Sequence, residues 1–319
     1  VTVLYDLSHN TSYSYGEPVD LAHHLLCLTP RNHGHQSVHS CHLLAKPAGR
    51  VASGTDRFGN TVTYLTIDEP HDRFVVELRA RVEVRKRAAR NLADSPAWED
   101  VRDELADDGF PDPVEAAEFA FPTGQTPSLP ELRSYAARSF TPGRPLLEAA
   151  RALTGQIYRD FTFDATATLV STPMTEVLKR RRGVCQDFAH VQIAALRTLG
   201  LAARYVSGYI QTLDRDGNPN LVGGDASHAW IAVWCPEAGW VEFDPTNDLV
   251  VGAQHVVLAW GRDYGDVSPT RGIILGGGEH DVEVAVALRA VPQDEEAADA
   301  AGPGGPADRN ESGDSAAEA

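Results

Sequence analysis

The sequence predicts an α+β protein preceded by an all-β unit, and three observations carry that reading. Short β-rich runs separated by turn-forming clusters fill residues 1–88. Helix-period segments dominate residues 131–199, and strand-period segments take over from 203 to 289. Helices first and an antiparallel sheet afterwards is the α+β order, not the alternation of a parallel-sheet fold.

In the first unit the β-rich runs are residues 11–15, 21–28, 38–44, 61–67 and 74–84, with turns at Thr29-Pro30-Arg31-Asn32 and Arg57-Phe58-Gly59-Asn60. Val82 and Val84 alternate with Arg81 and Glu83, which predicts one buried and one wet face in a small sandwich or barrel. Six of the twelve histidines fall between 23 and 42, together with Cys27 and Cys41. A hairpin of 21–28 with 38–44 would make the two cysteines cross-strand neighbours and a zinc site conceivable. The spacing matches no CxxC or HxxxH pattern, so the cysteines read as small core residues; no metal and no cofactor are expected.

Residues 89–128 shift to acid, Ala and Pro and read as an acidic helical connecting arm, with a helix over 96–107 and a short one after Pro113. The second domain, 129–291, opens with helices over 131–138 and 145–158. Another runs from Thr172-Pro173 to the cations at 180–182, stopped by Gly183. A helix from Cys185 to Leu199 keeps Phe188, Val191, Ala195, Leu196 and Leu199 on one stripe, which predicts a central buried helix ended by Gly200. Strands follow at 203–212, 229–235, 240–243, 256–260 and 280–289, the last with Val282, Val284, Val286 and Leu288 alternating. Residues 292–319 read as a disordered acidic tail.

The formal charge of −17 is concentrated: residues 94–118 hold ten acids and one Arg, and residues 292–319 hold eight acids and one Arg. That placement argues against nucleic-acid binding. Four scattered cysteines make no disulfide scaffold and fit a reducing compartment. With no long apolar run and no basic, apolar start, the expectation is a cytoplasmic protein without a membrane partner.

The chemistry centres on Arg181-Arg182-Gly183-Val184-Cys185-Gln186-Asp187. A thiol at a helix N-terminus meets unpaired N–H groups and the positive end of the macrodipole, which favours its thiolate. Downstream, the turn at 235–239 makes an antiparallel hairpin of its flanking strands, so His228 at the start of one and Asp244 at the end of the other lie at the same end. A nucleophile, a base and a group to orient the base then converge from three element ends: Cys185, His228 and Asp244.

These residues also resemble a family. Gly183 to His190, the run from Leu199 to Tyr209, Ser227-His228-Ala229-Trp230 and Gly239 to Asn247 look like the bacterial transglutaminase-like superfamily. Phe58-Gly59-Asn60 and Glu69-Pro70-His71 resemble its β-rich N-terminal region, and the stretch from Gly261 to Pro269 its late loop. The resemblance implies a papain-like, transglutaminase-like core in which Cys185, His228 and Asp244 form a catalytic triad. It implies attack on a carboxamide or peptide carbonyl through a thioester, making the protein a cysteine peptidase, deamidase or protein-glutamine acyltransferase with a peptide or protein substrate. The N–H of Cys185 would be one oxyanion donor; Gln156, Tyr158 and Tyr209 are candidates for the second. Asp187 would orient the helix start or shape the pocket and Trp230 would wall the cleft, the alternative for each being packing alone. The alternative is a non-catalytic interaction module that retains the fold.

Overall fold

The computed structural model describes residues 2–107, 113–212 and 227–292; the expected tail from 293 onward and part of the arm lie outside these. The elements in chain order are β1 (Thr2–Leu26), β2 (Gln36–Lys46), β3 (Arg50–Thr55), β4 (Thr61–Ile67) and β5 (His71–Arg85), then α1 (Trp98–Ala106), α2 (Pro113–Ala117), α3 (Pro130–Ala137) and α4 (Leu146–Asp160). The short β6 (Thr162–Phe163) and β7 (Arg182–Gly183) flank α5 (Met174–Arg180) and pair in parallel. Then follow α6 (Cys185–Arg197), β8 (Ala203–Ile210), β9 (His228–Cys235), β10 (Gly239–Asp244), β11 (Leu249–Val250), β12 (His255–Gly261), α7 (Tyr264–Val267), β13 (Thr270–Gly276) and β14 (His280–Ala290).

The all-β unit is organised on β1, a 25-residue strand and not the separate short runs expected. Its first half pairs β5 on one side and β14 on the other; its second half pairs β4 and β13. Residues 21–28 and 38–44 therefore form no hairpin, because β2 pairs with β5. Among the described residues, no group of three metal-ligating side chains converges from the histidine-rich segment.

The strand over 280–290, assigned to the second sheet by its alternation, instead covers an edge of β1 in the first. Alternation specifies which residues share a face, and any strand with a free edge can satisfy it. The second sheet has five strands in the order β11-β10-β9-β8-β12. Against it lies α6, buried around its circumference from Asp187 to Arg197, as a central helix must be. Full burial of Phe188, Val191, Ile193 and Leu196 contributes about 1.5–3 kcal/mol for each side chain.

The start of α6 is held by Asp187, whose carboxylate accepts from the Val184 N–H at 2.8 Å and the Thr168 hydroxyl at 2.6 Å. Gly183 permits this approach: a Cβ there would lie 2.4 Å from the Asp187 carboxylate. The preceding helix is ended by Arg181 in the left-handed region at φ 53, so Gly183 serves close packing and not the stop expected of it. At the other end of α6, the buried Arg197 donates to Phe119 O, Thr126 Oγ1, Ala203 O and Arg262 O.

Two side-chain amides dock the sheets. Gln36 exchanges two 2.7 Å hydrogen bonds with the backbone of Val257, and Asn60 exchanges bonds of 2.8 and 3.0 Å with Trp260. Both imitate the missing neighbour of β12, which is an edge strand. Asn60→Leu takes both partners from the half-buried Trp260 N–H and C=O and puts an apolar side chain where the amide also meets Arg31 and Asp56, and we expect it to destabilise the fold by about 2–4 kcal/mol in urea denaturation. A loss below about 0.5 kcal/mol would show that the amide bonds are replaceable. Among the described residues, no helix is long and apolar enough to cross a membrane.

Candidate active site

Cys185 is the first residue of α6 and is half-buried. His228 opens β9 and Asp244 closes β10, and the antiparallel register puts them at one sheet end, where both side chains are 0% exposed. His228 Nε2–H donates to Asp244 Oδ2 at 2.9 Å. The opposite nitrogen, Nδ1, is buried and without a full hydrogen bond, and is the ring position left to the Cys185 sulfur, whose proximity acts on His228 electrostatically. The three residues singled out from the sequence are thus brought together from three element ends.

Asp244 is a heavily hydrogen-bonded carboxylate in a dry place. It accepts from the backbone N–H groups of Thr246 and Asn247 at 2.9 and 3.2 Å and from the Asn247 side chain at 2.8 Å. Burial works against its charge, but His228 and His255 outweigh burial and hold it well below the usual carboxylate range. Burial also opposes charge on His228, and Asp244 with the Cys185 sulfur overcomes it, raising His228 to about 10. His228 is therefore an imidazolium at neutral pH, paired with a carboxylate on one side.

One member of the site was not anticipated. His255, at the start of β12, donates a second Nε2–H to Asp244 Oδ2 at 3.2 Å. Burial lowers its pKa below the free value despite Asp244, so it is a neutral donor. Among the described residues, His228, Asp244 and His255 are the cluster that could hold a metal, with ligand atoms within 4.8 Å of one another. Both Nε2–H groups point to one carboxylate oxygen, and this hydrogen bonding accounts for the arrangement by itself.

Trp230 stacks on His228 with centroids 6.0 Å apart, meets His255 edge-on at 5.0 Å, and donates its Nε1–H to Glu242 at 2.8 Å. Its ring lies over Gly208, where a Cβ would fall 2.5 Å from the indole and 2.1 Å from Val256 O. Trp230 thus backs the histidines as a buried wall.

The oxyanion candidates are placed elsewhere. Gln156 has its oxygen occupied by Ser139 and its nitrogen by Tyr135 O. Tyr158 is 50% exposed. The Tyr209 hydroxyl is committed to His9 Nδ1 at 2.8 Å, inside the core shared with the all-β unit. Asp187 is the anchor of the helix start and also lines a pocket of about 340 Å³ beside the first turns of α6, together with Gln186 and His190. Burial lowers His190 to about 3, and its Nε2 accepts from the Tyr264 N–H, so it is neutral.

Comparison with known proteins agrees with this fold. Residues 5–83 match the family described as the bacterial transglutaminase-like N-terminal region, and residues 133–245 match the transglutaminase-like superfamily. An uncharacterized protein of Mycobacterium tuberculosis is 39% identical over 297 residues, covering 90% of this chain and 92% of its own. A protein-glutamine gamma-glutamyltransferase of Pseudomonas aeruginosa is 33% identical over 107 residues, 31% of this chain and 16% of that one. The crystal structure of a proposed cysteine protease from Cytophaga hutchinsonii superposes with a TM-score of 0.72 at 20% identity, covering 92% of both chains. The β-rich first sheet, the helix bearing Cys185 against a five-stranded second sheet, and these matches along the chain place the protein in the transglutaminase-like superfamily, with a bacterial transglutaminase-like N-terminal region.

Proposed function

We propose that the protein is a thiol-dependent amide-bond enzyme of transglutaminase type, acting on a peptide or protein substrate. The observation that carries this reading is the fully buried His228, bound through Nε2 to the ionised Asp244 while its other face is left to Cys185 at the start of a helix. In the proposed reaction the Cys185 thiolate adds to a carboxamide or peptide carbonyl. The oxyanion forms beside the Cys185 N–H, at the positive end of α6. His228 then gives its Nδ1 proton to the departing nitrogen as the C–N bond breaks, leaving a thioester and neutral imidazole. Water or an amine next attacks the thioester, His228 takes its proton back, and the thiolate departs. Asp244 keeps the Nε2–H tautomer throughout and stabilises the imidazolium.

The acyl donor, peptide carbonyl or side-chain carboxamide, separates hydrolysis from deamidation, and an amine in place of water as acceptor gives transamidation; mass spectrometry of peptide substrates with and without a primary amine tests which occurs. We expect a mass change of one of these kinds, absent with Cys185→Ala. No product from any glutamine-containing or other peptide would sink the reading.

His255 acts in this scheme as a positioning residue through Asp244. His255→Ala is expected to lower kcat about tenfold with little change in KM, and His255→Gln, which keeps an N–H donor, to recover most of it. Two variants indistinguishable from wild type would remove His255 from the mechanism.

A further inference from the structure

A second pocket, of about 790 Å³, opens between the all-β unit and the outer face of β10 and β12. Its lining brings Arg31, Arg57, Arg87 and Arg204 together with Trp240 and Trp260, in a chain whose net charge is −17. Two of the four cations are balanced locally: Arg57 pairs with Glu118 at 3.2 Å and Arg87 with Glu242 at 2.7 Å. Arg31 donates to Phe58 O and to the Asn60 side chain, yet its Nε is buried without a partner.

Arg204 is the unusual one. It is 7% exposed and stacked on two indoles, with its Cζ 3.7 Å from the Trp260 ring centroid and 4.4 Å from that of Trp240. Its Nε is buried and unpartnered, and its guanidinium makes no hydrogen bond with any described residue. Arg197, at comparable burial, has four oxygen acceptors. Glu242 is the nearby carboxylate, and its oxygens accept from Arg87 and from the Trp230 indole and not from Arg204. His33 Nε2, on the same pocket wall, is also buried without a partner. A guanidinium brought out of water normally meets an oxygen acceptor, and a ring-stacked, planar fork is the donor suited to a carboxylate or phosphate.

We propose that this pocket binds a small oxyanion, with Arg204 as its principal donor and the two indoles holding the guanidinium in place. The carboxylate of a peptide and a phosphate group share the required chemistry. The site is separate from Cys185 but adjoins the candidate triad from behind, through Glu242 and Trp230 to His228.

The test is titration of the full chain with sodium phosphate and, separately, with N-acetylglutamate, at ionic strength held constant with sodium chloride. Tryptophan fluorescence reports on Trp240 and Trp260, and calorimetry gives the affinity. A saturable response to phosphate alone, to N-acetylglutamate alone or to both supports the site and identifies which source it takes. Arg204→Gln is expected to weaken binding at least about tenfold. Arg57→Glu is expected to weaken binding several-fold; with the wild-type side chain 55% exposed at the rim, it keeps the test available should the buried substitution not fold. No saturable response beyond that of chloride, or unchanged affinity in every folded variant, overturns the proposal.

Discussion

Replacing Cys185 by Ala is expected to lower amide turnover by about 10⁴-fold or more while leaving the protein folded. The side chain is half-buried and small, so its loss removes little packing, which circular dichroism and a denaturation midpoint will check. The same variant identifies the reactive thiol. Burial raises the Cys27 thiol to about 12 and also raises Cys41 and Cys235, so these three stay protonated at neutral pH. Iodoacetamide at pH 7 is therefore expected to label wild-type protein at Cys185 and the native variant hardly at all. Residual turnover within about tenfold of wild type, or a label that maps to Cys41, would remove Cys185 as nucleophile.

The second large effect belongs to Asp244. Asp244→Asn keeps the shape but removes the charge that overcomes burial at His228 and the acceptor that selects its tautomer. We expect kcat/KM to fall by about 10³–10⁴-fold. We also expect His228, followed by NMR, to titrate well below its wild-type value of about 10, since only the Cys185 sulfur then opposes burial.

Stability should follow the same linkage. The folded pKa of His228 exceeds its ordinary 6.5, so its contribution is full below 6.5 and is lost as pH rises through about 10. Asp244 is shifted downward, so its contribution is full above its ordinary 3.8 and is lost as pH falls. The deficit of Asp244→Asn against wild type should be largest between about pH 4 and 6.5 and shrink toward pH 10. A deficit independent of pH, with His228 titrating as in wild type, would mean that the carboxylate does not act through His228.

Much of the candidate site was legible because its parts obey local rules. A thiol after Gly183-Val184 at the start of an apolar helix, a histidine opening a strand and an aspartate closing the next are each set by helix periodicity, strand alternation and the turn at 235–239. Hairpin geometry alone then brings His228 and Asp244 to one end. The all-β character of residues 2–85 was legible for the same reason, from alternation and turn residues.

Sheet order and long-range docking were decided only in three dimensions. His255 reaches Asp244 because β12 lies beside β8, and Gly208, lacking a side chain, lets groups from β9 and β12 meet across it. Nothing in the spacing of residues 244 and 255 expresses that. Arg204 gathers with Arg31 and Trp260 because Gln36 and Asn60 fasten the first unit to an edge strand some 200 residues away in sequence. The partner of β14 followed from the free edge of β1, since alternation names the buried face and leaves the neighbour unspecified. Local periodicity is written in a few consecutive residues, so the chain alone determined the helix bearing Cys185 and the hairpin bearing His228 and Asp244. Which distant edges and faces meet depends on every element competing for the same surface, and only the tertiary structure decided that His255 meets Asp244 and that an arginine pocket lies beyond Trp230 and Glu242.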